Sequence, residues 1–418
     1  MRSTQALLPG ATFDPDLLLA PQQALIAYGA AVPLGPAGVE TVPLRAAFGR
    51  VLAAAAVAGE AFPAHPRSTM DGYAVRAADA RAPRRLTAPV RMGAPPPAPL
   101  GSGEAMPIPT GGARPAGADA VVPIEDAVAD GGMILVNCTP QPGDFFTPPG
   151  SDMAAGEVAI EAGRRIGGPE MSVLATLGLV DVEVYRRPRF AIISTGDELV
   201  DAGLVPGIGQ VRDSNRWAIA GALAAMGADV VQLPNAPDDL GALRAALAAG
   251  LEQADGVFLT GGSSVGERDL TPDVIALFDG PGVIVHGLRV KPGKPTVLAA
   301  IGAVPVIGLP GNPTSALTIL EAVCAPLVRA MTGERAARPA VIAARAGSTF
   351  VGRPGWTWYV PAELRREADG ERAYPLPLRS AHTSLLARAA GYVVLTEDRS
   401  EIAPGEMLEV VRFSGGGR

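Results

Sequence analysis

At 418 residues the chain exceeds one ordinary hydrophobic core, and two to four domains are expected. Hydrophobic residues make up 48% and charged residues 18%, beside 51 glycines and 41 prolines, the composition of a soluble, loop-rich globular protein. The net charge of −7 excludes a general nucleic-acid binder, and two cysteines, Cys138 and Cys324, exclude a disulfide framework and a cysteine metal cluster.

Residues 1 to 20 read as a lead-in. Pro9, Asp14 and Asp16 interrupt the apolar run that a signal peptide needs, and no stretch reaches a membrane span without Gly, Pro or charge. A cytoplasmic enzyme engaging neither membrane nor nucleic acid is expected. Residues 20 to 59 carry helical spacing at Leu25, Ile26 and Tyr28, then at Leu44, Ala47, Val51 and Leu52, around a Pro/Gly stretch at 33 to 38. From 60 to 156 short apolar runs punctuated by proline and glycine predict a β-rich module. Helix and strand return over 157 to 185, so the β-rich module reads as an insertion into a discontinuous first domain, 20 to 59 plus 157 to 185.

From 186 to 335 the pattern is β-α-β-α, which implies a mainly parallel sheet with helices on both faces. Helices are predicted at 215 to 226, 239 to 254, 272 to 278 and 313 to 331, the last with Asn312 as N-cap and Pro313 at its first position. Residues 338 to 412 shift to short strands, Thr357–Val360 and Tyr392–Leu395, a small separate β domain.

The chemistry concentrates at 189 to 315, where strand-like runs break into glycine turns bearing acids or lysines. These are Thr195-Gly196-Asp197-Glu198, Gly261-Gly262-Ser263-Ser264, Lys291-Pro292-Gly293-Lys294 and Pro310-Gly311-Asn312-Pro313. In an open α/β sheet ligands bind outside the carboxyl ends of the strands, and glycine there lets backbone N–H groups approach a phosphate. Of 35 basic residues only Lys291 and Lys294 are lysine. Two lysines placed at random would fall that close in roughly one or two chains per hundred. A compact ammonium suits a tight turn against phosphate oxygens better than the arginine fork used elsewhere. With a net charge of −7, such a site must be built locally.

Most of these acids also have a structural reading. Asp197 and Glu198 suit a helix N-terminus, and Asp238 or Asp239 an N-cap, whereas Asp269 has no evident structural task. Acids beside phosphate-binding turns suit a Mg²⁺-bridged phosphate. In the β-rich module Asp71, Thr110 and Asp152 each sit in a turn-like stretch. His65, His286 and His382 are scattered, and Walker and Rossmann fingerprints are absent, which argues against a serine triad, an ordinary NTPase or a dehydrogenase.

Taken in series, Ser68-x-Met70-Asp71-Gly72-Tyr73-Ala74, Thr195-Gly-Asp-Glu198-Leu199, Gly261-Gly-Ser-Ser-Val-Gly-Glu267, Lys291-Pro-Gly-Lys294-Pro295 and Leu309-Pro-Gly-Asn-Pro313 resemble the molybdopterin molybdenumtransferase family, from about residue 20 to 412. The resemblance implies four domains: the discontinuous first, the β-rich insertion, a three-layer α/β/α molybdopterin-binding domain at 186 to 335, and the small C-terminal β domain. It implies a cytoplasmic homodimer that inserts molybdate into adenylylated molybdopterin, releasing AMP with Mg²⁺, and it admits a molybdopterin adenylyltransferase as partner.

Residue by residue, it implies catalytic roles for Asp71, Thr110, Asp152, Glu198, Asp238 (favoured over Asp239) and Asp269, with Glu198 and Asp269 as metal ligands. Cofactor-binding roles fall to Gly261, Gly262, Ser263, Lys291, Lys294, Pro310, Gly311, Asn312 and Pro313. The sequence departs from the family pattern at Thr147, Ser264 and Arg379. Two rival functions are a molybdopterin adenylyltransferase, which resembles the third domain alone, and a non-catalytic molybdopterin-binding scaffold.

Overall fold

The computed structural model describes residues 18–261, 269–335, 339–377 and 383–415. They divide into two compact units. One takes the chain up to Ala53, Gly163–Gly167 and everything from Asp181; the other takes Ala54–Ala162 and Gly168–Val180.

The first unit contains a six-stranded sheet in the order Asp229–Gln232, Arg189–Ser194, Gly256–Thr260, Val304–Leu309, Val297–Ile301, Gly282–His286. The first four strands are parallel and the last two join antiparallel. Strand alternation sorts the core into two layers. Phe190, Ile192, Phe258 and Ile307 pack with Ile219 and Leu223 of helix Asn215–Ala225 and with Ile319 and Leu320. Ala191, Ile193, Val257 and Leu259 pack with Leu243 and Leu247 of helix Leu240–Gln253 and with Ile275. This is the expected three-layer α/β/α domain. At about 1.5–3 kcal/mol per fully buried large apolar side chain, these layers, rather than the loops, hold the strand ends in place.

The helical run from Pro313 to Thr332 changes character in the middle. An α-helix to Ile319 passes through a π-turn, Leu320–Cys324, into a second α-helix, Ala325–Thr332. Pro326 has no N–H to give the preceding turn, which accounts for the widened turn there. By length and apolarity alone the run could cross a membrane, yet 67% of its most apolar window is buried inside the protein, as a core helix would be.

The C-terminal strands close on themselves. Thr357–Glu367, Gly370–Pro375, Val341–Ala346, Met407–Arg412 and Gly391–Leu395 pair in that order, and the last pairs back with the first. This small barrel leaves no long free edge, and Val290–Lys291 pairs alongside it through Thr357 and Trp358.

One expected helix is not formed. Helical spacing over Leu44 to Leu52 yields only a single 3₁₀ turn, Leu44–Ala46. Val39–Pro43 instead pairs with Asp181–Tyr185, while Val51 and Leu52 bridge Arg165 and Val184. Pairing partners distant in sequence override the local period here.

The second unit is β-rich. Its main sheet orders Ala120–Pro123, Gly72–Val75, Glu104–Ile108, Arg84–Leu86, Met133–Val136 and Ala127–Asp130. Ala56–Val57 pairs with Val158–Ile160 where the chain enters and leaves, and helix Gly168–Thr176 belongs to the same unit.

Candidate functional site

The two lysines sit on a closed, packed turn. Leu288 N–H donates to the Lys294 carbonyl at 2.8 Å and Gly287 N–H to that of Thr296 at 2.8 Å. Thr296 Oγ1 donates to the Gly293 carbonyl at 2.6 Å. Gly293 has φ +102°, and a Cβ there would lie 2.1 Å from Ile319 Cγ1, so only glycine lets the turn press onto the helix beneath it. Asn312 caps that helix, its Oδ1 accepting from Thr314 N–H at 3.1 Å, with Pro313 at the first position as expected.

Turn and helix start line a cavity of about 510 Å³, together with Arg353, Trp356 and Trp358 of the C-terminal part of the unit. The described lining holds three cations, Lys291, Lys294 and Arg353, and no carboxylate. In an acidic chain this is a local concentration of positive charge. Lys291 Nζ stands 4.5 Å from the centroid of the Trp358 ring, within cation–π range.

Sequence reasoning missed Arg353, Trp356 and Trp358. The signal was available, since two of only three tryptophans in the chain fall within three residues of each other.

Three other turns meet at the carboxyl ends of the strands. Thr195 N–H donates to the Thr260 carbonyl at 2.8 Å, and a Cβ on Gly261 (φ +117°) would lie 2.1 Å from the Thr195 carbonyl oxygen. Gly311 packs against Gly261 and its carbonyl accepts from Asn215 Nδ2 at 2.7 Å. Pro310 is buried beside it. Gly262 and Ser263 lie outside the described residues.

The acids divide by task. Asp239 caps helix Leu240–Gln253, accepting from Ala242 N–H at 2.8 Å. Asp238 instead accepts from Thr195 Oγ1 at 2.9 Å, which ties it to the strand-end turn. Glu198 does not open a helix: it is exposed, folds over Gly196, and leads into the two-residue strand Leu199–Val200. Asp269 does have a structural task. It caps helix Leu270–Ile275 by accepting from Thr271 N–H at 3.0 Å, and burial pushes its carboxyl above the usual range. Among the described residues no group of three or more His, Cys, Asp or Glu side chains is placed to hold a metal. Glu198 and Asp269 would each offer an oxygen donor, as Mg²⁺ requires when a substrate phosphate completes its shell.

In the second unit, two of the sequence motifs are stitched together. Asp71 Oδ1 accepts from Thr110 N–H at 2.6 Å. Gly111 N–H donates to the Ser68 carbonyl at 2.7 Å, and Ser68 N–H to that of Gly112 at 2.9 Å. The Thr110 N–H holds the Asp71 carboxyl below its ordinary range, so it is ionised at neutral pH. Asp152 is exposed on a nearby stretch of the same unit, its N–H bonded to the Phe62 carbonyl at 3.1 Å.

Comparison with known proteins adds the following. Residues 19–178 match the MoeA N-terminal region (domain I and II), 191–330 the probable molybdopterin binding domain, and 343–413 the MoeA C-terminal region (domain IV). The chain is 33% identical over 388 residues to molybdopterin molybdenumtransferase 2 of Mycobacterium tuberculosis, covering 88% of this chain and 94% of that one. It is 35% identical over 306 residues to the molybdopterin molybdenumtransferase of a Nostoc species, covering 70% of each. Among solved structures, a molybdopterin biosynthesis MoeA protein from Pyrococcus horikoshii shares 32% identity at a TM-score of 0.78, with 95% of this chain and 100% of that one covered.

Proposed function

Since the chain belongs to the molybdopterin molybdenumtransferase family, we propose that it inserts molybdate into adenylylated molybdopterin and releases AMP, as a cytoplasmic homodimer. The observation that carries this reading is the cavity of about 510 Å³ whose lining gathers both lysines of the chain with the capped start of a helix. Lys291 and Lys294 hold the pterin phosphate by charge-assisted hydrogen bonds; the first N–H groups of the helical run do not join them, because Asn312 takes those of Thr314, Ser315 and Ala316.

Glu198 and Asp269 would hold Mg²⁺, which would offset charge developing on the adenylate phosphoanhydride. Asp238 fixes the Thr195 turn, so the strand ends present a rigid floor. Asp71, kept ionised by Thr110, and the exposed Asp152 position oxyanion or water. As the family resemblance implies, we assign the completed site to a cleft between subunits, each giving one wall.

The test is incubation with adenylylated molybdopterin, Mg²⁺ and molybdate, followed by assay of AMP and metal-loaded cofactor. AMP release that requires molybdate is the expected result. Release of pyrophosphate from ATP and molybdopterin instead would make the chain an adenylyltransferase.

A further inference from the structure

The lysine cavity is larger than an oxyanion needs; its volume is that of a pocket for a whole small molecule. Part of its wall is aromatic, and each of its two indoles has a cation of the chain over it, closer on Trp358 than on Trp356. Val290–Lys291 pairs with Thr357–Trp358, a register that sets Lys291 beside Trp358. Lys291 Nζ lies 4.5 Å from the ring centroid, so that ring face is occupied by the chain's own cation. Trp356 is half-buried in the cavity wall, with the Arg353 guanidinium 5.8 Å from its centroid. An indole beside a guanidinium, next to two lysines, suits a ligand that joins a flat ring to a phosphate.

We propose that Trp356 is the stacking platform for the fused heteroaromatic ring of the ligand, with Trp358 a positioning residue that seats Lys291 against its phosphate. This deepens the cofactor reading above and rests on it. The shared ligand chemistry is a flat nitrogen heterocycle carrying phosphate, which the adenylylated substrate offers twice, as pterin and as adenine.

The experiment is titration calorimetry of the full chain with three probes: a pterin bearing a phosphomethyl group, AMP, and inorganic phosphate measured by competition. Thermal melts verify that each variant is folded. Trp356→Leu should weaken one of the two ring probes roughly tenfold, identifying which ring stacks, and leave inorganic phosphate unchanged. Trp356→Phe should restore that ring probe to within about threefold of wild type. Trp358→Leu should weaken all three probes by a similar factor, because Lys291 loses its seat.

A Trp217→Phe background adds a readout that needs no wall variant, since it leaves only Trp356 and Trp358 to fluoresce and the stacking probe should quench them. A folded Trp356→Leu protein that binds both ring probes like wild type, or binding without quenching, overturns the platform alone. Unchanged phosphate affinity in Trp358→Leu overturns the positioning role. If wild type takes up neither ring probe, the platform and the cofactor reading fall together.

Discussion

The lysine turn and the Asp71 turn are both short loops bearing charge, but they are held in different ways. The lysine turn is pressed onto a core helix through Gly293 and Ile319, closed by its own backbone bonds, and paired to the C-terminal barrel. Its cations face a cavity. The Asp71 turn is exposed and held by bonds to the Thr110–Gly112 loop. Packing fixes a group that must grip a ligand out of bulk water. Backbone hydrogen bonds suffice for an acid that must stay ionised and meet reactants from solvent. The contrast fits the proposed roles, binding in the first unit and positioning for the reaction in the second.

The largest effect expected comes from separating those two jobs onto different subunits. Asp71→Asn and Lys294→Ala should each inactivate the enzyme. For the proposed homodimer, refolding an equal mixture should make half the dimers mixed, and a cleft shared between subunits would leave each mixed dimer one intact site. Activity should then recover to roughly a quarter of wild type, for random pairing and independent sites. A mixture as inactive as its parents, with subunit exchange demonstrated, would place each site within one chain.

Glu198→Gln sharpens the division inside the first unit. It leaves the lysine cavity untouched, so cofactor should bind as in wild type while turnover falls on the order of a hundredfold. Calorimetry and AMP release measured on the same preparation check both halves. A variant with normal turnover returns Glu198 to a surface acid. A smaller loss is expected for Lys294→Arg, which keeps the charge but brings a bulkier fork into the closed turn. Cofactor affinity should drop by about 1–3 kcal/mol, and equal titration curves would make the turn tolerant of either cation.

Much of this was legible in the sequence because it rests on local chemistry. Strand alternation, the Asn312–Pro313 helix start and the lysine-bearing turn are properties of neighbouring residues. The failures are non-local. Leu44 to Leu52 has helical spacing, yet its partners lie more than a hundred residues away, at Arg165 and Val184. Asp269 offered no structural role because its helix was expected to begin at 272, whereas the structure starts it at Leu270, directly after Asp269. The Trp356–Trp358 wall joins the lysine turn through a two-residue strand pairing, and nothing in either segment announces the other.

The smallest expected effect tests the base on which the lysine turn rests. Glu321 lies in the π-turn two residues beyond Ile319, almost fully buried, and accepts from Ser414 N–H at 3.0 Å and Ser414 Oγ at 2.8 Å. Burial raises its carboxyl above the ordinary range despite those two bonds. A raised folded-state value means the folded protein holds the proton more tightly than the unfolded chain does. The resulting stability is fully present below the unfolded value, about 4.3, and is lost as pH rises through the higher folded one. Glu321→Gln removes the titration while keeping an acceptor for Ser414. Wild type and variant should therefore melt at similar temperatures in acid, and the variant should gain on wild type toward neutral pH. The gain should be a few degrees, roughly what 1 kcal/mol is worth in a domain of this size. A melting difference that stays flat with pH would show that the Glu321 carboxyl ionises in the fold as easily as in the unfolded chain. One of opposite sign would show that Ser414 outweighs burial.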